Sequence, residues 1–255
     1  MSSEIGIALV CLLGSFATFF SGFGLGTILL PVFSLFFTLE TAVLATALVH
    51  FANNVFKLSI MSRHIDFNLF KKFGITALLG GCIGAVLLQL LGDLGTFYIF
   101  PIWGGKSVSV IAFLIGLLML FMVYFEWKKI KFPFSKAPLF LPLGGFLSGL
   151  FGGFSGHQGA MRSAFLSKIV MDKHVFVATS TFISFFIDIS RISVYSTHVE
   201  WQVLNWRVLL IGAIAAFAGS VLGKKYLKKV SISFVNTIVK VFLTLMAFLI
   251  LMGIV

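Results

Sequence analysis

The stretch GFSGHQGAMR, Gly153 to Arg162, sets a histidine, a glutamine and an arginine among glycines, with strongly apolar sequence on either side. Glycine tolerates the tight and left-handed conformations that let a chain reverse, so the stretch reads as a turn between two apolar helices. The segment around it, Ala137 to Val170, would extend about 50 Å as one α-helix, well beyond a hydrocarbon layer roughly 30 Å thick. A second overlong segment, Ile5 to Phe37, is interrupted in the same way by SGFGLG, Ser21 to Gly26. Each is expected to be a re-entrant hairpin, two helices that meet at a glycine tip and return to the face they entered.

The remainder of the chain agrees with a membrane setting. It is 59% hydrophobic and 11% charged, with 32 phenylalanines, more apolar matter than a soluble core could hide. Further apolar segments run over Glu40 to Met61, Phe73 to Leu91, Ser107 to Tyr124, His174 to Tyr195, Val208 to Leu222 and Phe234 to Val255. Continuous apolar runs exclude a transmembrane β-barrel, whose strands alternate, and backbone groups in lipid are satisfied internally by helices. The expected fold is therefore an all-α polytopic membrane protein. The net charge of +11 is concentrated at segment ends, as in KKIKFPFSK and KKYLKK, which suits lipid headgroups and chain orientation and excludes nucleic acid as a partner. The start, MSSEIGIALV, carries an acid and has no basic flank or A-x-A site, and is expected to be mature sequence. Cys11 and Cys82 lie in apolar segments without C-x-x-C spacing, so neither a disulfide nor a metal is expected. The chain shows no nucleotide-binding or redox-cofactor motif, and no cofactor is expected.

Sliding the chain on itself by about 133 to 135 residues brings polar residues into register. Thr46 falls on Thr179, Asn54 and Lys57 fall on Asp188 and Arg191, HIDFNLF from His64 falls on HVEWQVL from His198, and Gly26 falls on Gly159, while Pro31 meets Ala164. This gives one transporter-like domain over residues 1–255, with repeat one at about 5–125, repeat two at about 137–255 and a basic cytoplasmic linker at 126–136. With both overlong segments as hairpins, each repeat is a hairpin plus three crossing helices. One face then collects Arg63, Lys71, Lys72, Lys128, Lys129, Lys131, Lys136, Lys168, Lys173, Lys224, Lys225, Lys228 and Lys229, and the other keeps Lys106 and Arg207. That asymmetry orients the chain with both termini outside the cytoplasm and makes the halves inverted copies, an architecture common among secondary transporters.

Inversion would bring the tips together near the midplane. A helix N-terminus presents unpaired N–H groups and about half a positive charge, and each hairpin's second helix is expected to begin at its tip, near Gly26-Thr27 and Gly159-Ala160. Gly24, Gly26, Thr27, Gly156 and Gly159 are the candidate backbone contacts for a small anion, with close helix packing as their alternative role. Arg162 adds a full charge one turn beyond the second tip, and His157 and Gln158 add hydrogen-bonding groups. An intramembrane arginine is a functional candidate by default, against a snorkelling side chain. Asp188 and Arg191, three apart, predict an ion pair, with proton coupling the more ambitious reading. Asn54, Lys57, Thr46 and Thr179 complete the candidates for coupling or gating, Lys57 also reading as a helix-end lysine. Lys240 reads as an anchor for the last helix, His64 and His198 as interfacial, and His50 and His174 carry no signal.

The motifs GFGLGTILLP, AVLATAL, HIDF, GGFLSGLFGGFSG, VFVATST and HVEW resemble those of the TauE/SafE sulfite-exporter family, over most of the chain. The resemblance implies a multi-pass plasma-membrane permease, not an enzyme, that moves sulfite, a sulfonate or a related organosulfur anion. The family's second tip usually carries three glycines followed by a proline, where this chain has GHQGAMRSA. Partners are then a small anion and the lipid bilayer, with a homo-oligomer left open. A passive anion channel is the nearest alternative. A remoter one comes from Gly153-Phe154-Ser155-Gly156, which matches the G-x-S-G string of intramembrane serine proteases, although the sequence offers Ser155 no clearly spaced base.

Overall fold

The computed structural model describes residues 2–20, 24–92, 94–100, 106–128, 138–166, 169, 171–197, 201–226 and 232–254. The sequence features at Gly22, Lys129, Lys131, Lys136, Lys168, His198, Lys228 and Lys229 lie outside them. The described chain is almost entirely helical. In order it forms α1 (Ser2–Phe20), α2 (Leu25–Phe33), α3 (Leu39–Met61), α4 (Phe67–Leu69), a π-helical turn at Phe70–Gly74, α5 (Ile75–Gly92), β1 (Thr96–Phe100) and β2 (Lys106–Ser109). The second part comprises α6 (Val110–Lys128), α7 (Phe140–Ser155), α8 (Gln158–Leu166), α9 (Lys173–Tyr195), α10 (Trp206–Tyr226) and α11 (Ile232–Leu251). Among the described residues six helical stretches are long and apolar enough to cross a membrane: Leu39–His64, Phe67–Gly92, Val110–Lys128, Lys173–Tyr195, Trp206–Tyr226 and Ser233–Leu251.

One expectation is corrected. The chain is not wholly α-helical, because β1 and β2 pair antiparallel between α5 and α6. The sequence TFYIF from Thr96 is β-branched and aromatic, which suits a strand, and it follows Gly95 at φ 71. Tyr98 Oη donates to the Leu251 carbonyl and ties the hairpin to the end of α11. Ser107, expected to open a helix, lies in β2; α6 starts at Val110, and Ser109 Oγ accepts from the Ala112 N–H at 3.1 Å. Residues 126–128 of the expected linker belong to α6.

Glycine sets the helix contacts. Along α7, Gly145 lies against Phe73 and Thr76, Gly149 against Ala77 and Gly153 against Gly81, so α5 and α7 run side by side in the same direction. The pair α1 and α10 repeats the arrangement, with Gly212 against Cys11, Gly219 against Leu12 and Gly223 against Phe19. Small residues let apolar helices approach closely where the hydrophobic effect gives no preference for protein over lipid. Two short helices fold back on their predecessors. A β-carbon at Gly14 of α1 would lie 3.3 Å from Leu25 and 3.2 Å from Ile28 of α2. In the second half the Phe140 and Phe165 rings, at the start of α7 and the end of α8, are 4.8 Å apart.

The two ends of the bundle are defined by contacts between loops. At one end the His64 and His174 rings are 5.5 Å apart, the Asp66 N–H donates to Thr179 Oγ1 at 2.9 Å, and Lys224 Nζ donates to the Ile60 carbonyl at 3.3 Å. Lys71, Lys72, Lys173 and Lys225 belong to this basic end. Asp172 caps α9 there by accepting from the His174 N–H at 2.7 Å, and that bond holds its carboxyl below the ordinary carboxylate value. At the far end Glu4 pairs with Arg207 at 3.1 Å and Gln89 Nε2 donates to the Val194 carbonyl at 2.6 Å. The helices α3 and α9 run in opposite directions between these ends and pack together at the centre.

Candidate functional site

The returning helices start slightly earlier than expected. α2 begins at Leu25 with Gly24 as its N-cap, and α8 begins at Gln158, after Gly156 has turned the chain at φ 79. Only glycine adopts that left-handed angle without strain. A β-carbon at Gly24 would stand 3.7 Å from the backbone of Gly159 and 3.9 Å from His50 Nε2. One at Gly26 would stand 3.1 Å from the Gly156 carbonyl oxygen and 3.7 Å from Arg191 Nη2. The two glycine turns therefore touch backbone to backbone at the middle of α3 and α9.

A cavity of about 40 Å³ lies on the basic side of this contact. Its walls are Thr18, Phe19, Gly24, Leu25, His50, Asn54, Lys57, Arg162, Ser163, Phe176, Val177, Ser180, Thr181 and Ser184. A water needs about 10–15 Å³ on such a measure, so the space suits a small polyatomic ion or a few waters. The start of α2 looks into it through Gly24 and Leu25. Arg162, 6% exposed, donates from Nη1 to Ser184 Oγ at 2.5 Å and to Gln158 Oε1 at 3.3 Å, and its Nε has no hydrogen-bond partner among the described residues. Lys57, 7% exposed, holds its ammonium 5.4 Å from the centre of the Phe19 ring. Among the described residues neither cation forms an ion pair.

The buried carboxylate of Asp188 beside them is engaged elsewhere. Asp188 Oδ1 accepts from Arg191 Nε at 3.0 Å, and Oδ2 lies 2.7 Å from His50 Nδ1 and accepts from Asn54 Nδ2 at 2.8 Å. Arg191 Nη2 stands 2.8 Å from the same Oδ1 but out of line for a hydrogen bond, and Nη1 has no partner among the described residues. Two positive charges thus face a small buried space without a counter-ion. Low-dielectric surroundings make that costly unless an anion is bound.

A match to a protein-family model settles the kinship of a chain with this site. The model of the sulfite exporter TauE/SafE matches residues 7–250. The chain belongs to the TauE/SafE family. No curated protein and no solved structure matches it. Members of the TauE/SafE family are membrane transporters, and the apolar helices make this one a multi-pass membrane protein.

Within this TauE/SafE chain the candidates drawn from sequence separate into groups. Gly24, Arg162, Asn54 and Lys57 line the cavity. Gly26, Gly156, Gly159, Asp188 and Arg191 cluster at and behind the contact between the turns, and Asp188 and Arg191 form the ion pair that their spacing predicts. Thr27 and Thr46 are buried with hydroxyls that meet no partner among the described residues, and Gln158 Nε2 likewise meets none. Thr179 holds the loop after His64 instead of facing the cavity. Lys240 lies 6.0 Å from the centre of the Trp127 ring, as suits an anchor between α11 and α6.

Two features are absent from the sequence reading. His50 lines the cavity and contacts Asp188, and its signal was its spacing: His50, Asn54 and Lys57 stand at i, i+4 and i+7, on one face of α3. Ser180, Ser184, Asp188 and Arg191 form the matching stripe on α9. Ser155 also finds a base, since His157 Nδ1 lies 2.8 Å from its Oγ. Both are shut off from the cavity and His157 Nε2 meets no partner among the described residues, so the third group that orients such a pair in hydrolases is lacking there.

Proposed function

We propose that the chain is a secondary transporter that carries a small anion, such as sulfite, a sulfonate or a related organosulfur anion, across the plasma membrane by alternating access. The observation that carries this reading is the pair of buried cations, Arg162 and Lys57, paired with no carboxylate among the described residues and facing a cavity that the start of α2 also overlooks. A helix N-terminus and two charges converge on one small space, the arrangement that anion recognition requires. The halves are inverted repeats in this reading, each a re-entrant hairpin with three crossing helices. Its support is the reciprocity of the contacts: α7 runs along α5 as α1 runs along α10, from opposite ends, and α2 and α8 turn back to the ends their partners left. The halves rock about the touching glycine turns. With the basic end cytoplasmic, the cavity faces the cytoplasm in the described state.

Purified protein titrated calorimetrically with sulfite, methanesulfonate, acetate and chloride tests recognition, and sulfite counterflow in proteoliposomes tests the carrier mechanism. Saturable counterflow is expected. Flux that rises linearly with concentration and shows no counterflow would establish the passive channel instead.

A further inference from the structure

We infer a second anion position, on the far side of the glycine contact, formed by Arg191 and the start of α8. The inference rests on the proposed transport reading and adds to it the place where the same oxyanion sits when the other end is open. It starts from chain direction. Asn54 and Asp188 touch, so they share a level, but α3 and α9 are antiparallel. Lys57, one turn beyond Asn54, therefore lies toward the basic end, and Arg191, one turn beyond Asp188, lies toward the far end. Repeat alignment equates the same two cations. Lys57 lines the described cavity; Arg191 does not.

Arg191 is fully buried, and its Nη1 meets no hydrogen-bond acceptor among the described residues. That unpartnered edge is aimed at the turn before α8, since a β-carbon at Gly156 would stand 2.9 Å from Nη1 and one at Gly26 would stand 3.7 Å from Nη2. His157, at the same turn, is also fully buried with Nε2 unpartnered. A buried guanidinium edge without an acceptor is expensive. Beside the N-terminus of the nine-residue α8 it forms the counterpart of what Lys57 and the start of α2 form on the basic side. The ligand class is a small oxyanion, because the guanidinium fork and the helix N–H groups all donate. Asp188 links the two positions: one oxygen holds Arg191, and the other holds His50 and Asn54 of the cavity wall. When the far side opens, the oxyanion takes up the free Nη edge of Arg191.

The test reconstitutes the full chain with sided orientation and measures sulfite flux with sulfite supplied at either end. Arg191→Lys keeps the charge that Asp188 needs but loses the fork, and should raise the far-end KM relative to the basic-end KM at least about fivefold. Gly26→Ala, which adds a methyl 3.1 Å from the Gly156 carbonyl oxygen and 3.7 Å from Arg191 Nη2 without touching the Asp188 pair, should shift the ratio in the same direction. A merely structural role lowers Vmax and leaves the ratio within about twofold of the parent; that result in Gly26→Ala overturns the inference even if Arg191→Lys fails to fold. Arg162→Gln keeps the two ideas apart. Loss of sulfite binding in that variant with an unshifted KM ratio in the others refutes the second position alone, whereas undiminished binding in Arg162→Gln refutes the cavity reading.

Discussion

Replacing Arg162 by glutamine removes a charge and keeps a hydrogen-bond donor, which makes it the sharpest probe of the cavity. The guanidinium is pinned by Nη1 to Ser184 Oγ and to Gln158 Oε1, and the residue lines the cavity, where an anion would meet its charge. A hydrogen bond assisted by charge contributes about 1.5–3 kcal/mol net, so Arg162→Ala and Arg162→Gln should each weaken sulfite binding by roughly one to two orders of magnitude. A helix terminus supplies about 0.3–1 kcal/mol when exposed and up to about 2 when partly buried, too little to compensate. Arg162→Lys should recover part of the loss, because it restores charge without the planar fork. Ser184→Ala, which loosens the pin and spares the charge, should cost about 0.5–1.5 kcal/mol at most. The assay is isothermal titration of each purified variant with sulfite at constant ionic strength, with helicity checked by circular dichroism. Parental affinity in Arg162→Ala and Arg162→Gln would make the arginine an anchor for Ser184 and refute the cavity reading.

Lys57→Met removes the second cation and should raise the sulfite Kd about tenfold, a loss of roughly 1.4 kcal/mol; an unchanged Kd would assign Lys57 to packing on Phe19. Gly156→Ala forces a side chain into the left-handed region at φ 79 and toward Arg191, and should cost about 1–2 kcal/mol, seen as a lower melting temperature in detergent. Melting at the parental temperature would show that the turn relaxes. In a background lacking Cys11 and Cys82, a cysteine at Lys106 should react with an impermeant maleimide in intact cells, and one at Lys72 only after permeabilisation. The reverse pattern would sink the assigned orientation.

The overlong segments were legible because their length conflicted with a bilayer and their glycines offered a break. The structure places a break in each, at Gly24 and at Gly156. The β-hairpin was not legible, because Thr96 to Ser109 falls between two strongly apolar helices, and a short aromatic run in that position reads equally well as a helix end. The Asp188–Arg191 pair followed from helical spacing alone. His50 escaped because a lone histidine in an apolar helix is ambiguous until its neighbours at i+4 and i+7 are read with it. The contact between His50 and Asp188 joins residues 138 positions apart, and local pattern carries no information about which helices become neighbours. The repeat did carry some: Asn54 and Asp188, equated by the alignment, prove to be hydrogen-bonded to each other, as equivalent positions near an axis relating two halves would be.

In the proposed inverted-repeat reading, equivalence between the halves is not complete, and the exception has a mechanical consequence. The offset that places Gly26 on Gly159 places Leu29 on Arg162, so only the returning helix of the second half carries a cation one turn beyond its start. Leu29 is fully buried in apolar contact, and Arg162 lies at the cavity wall. In the proposed cycle an anion on the basic side meets Lys57 and Arg162 together, whereas on the far side it meets Arg191, already shared with Asp188. In this reading the scaffold is symmetric in shape but not in charge. A ligand shifts a two-state equilibrium only by its difference in affinity for the two states, so a bound anion should favour the basic-side state over the far-side state, and Arg162→Leu, which restores the symmetry, should abolish that bias. Cysteine accessibility at Thr181, in the cavity wall, measured with and without sulfite reads the bias directly. The same sulfite-dependent change in accessibility in the parent and in Arg162→Leu would show that Arg162 does not set it.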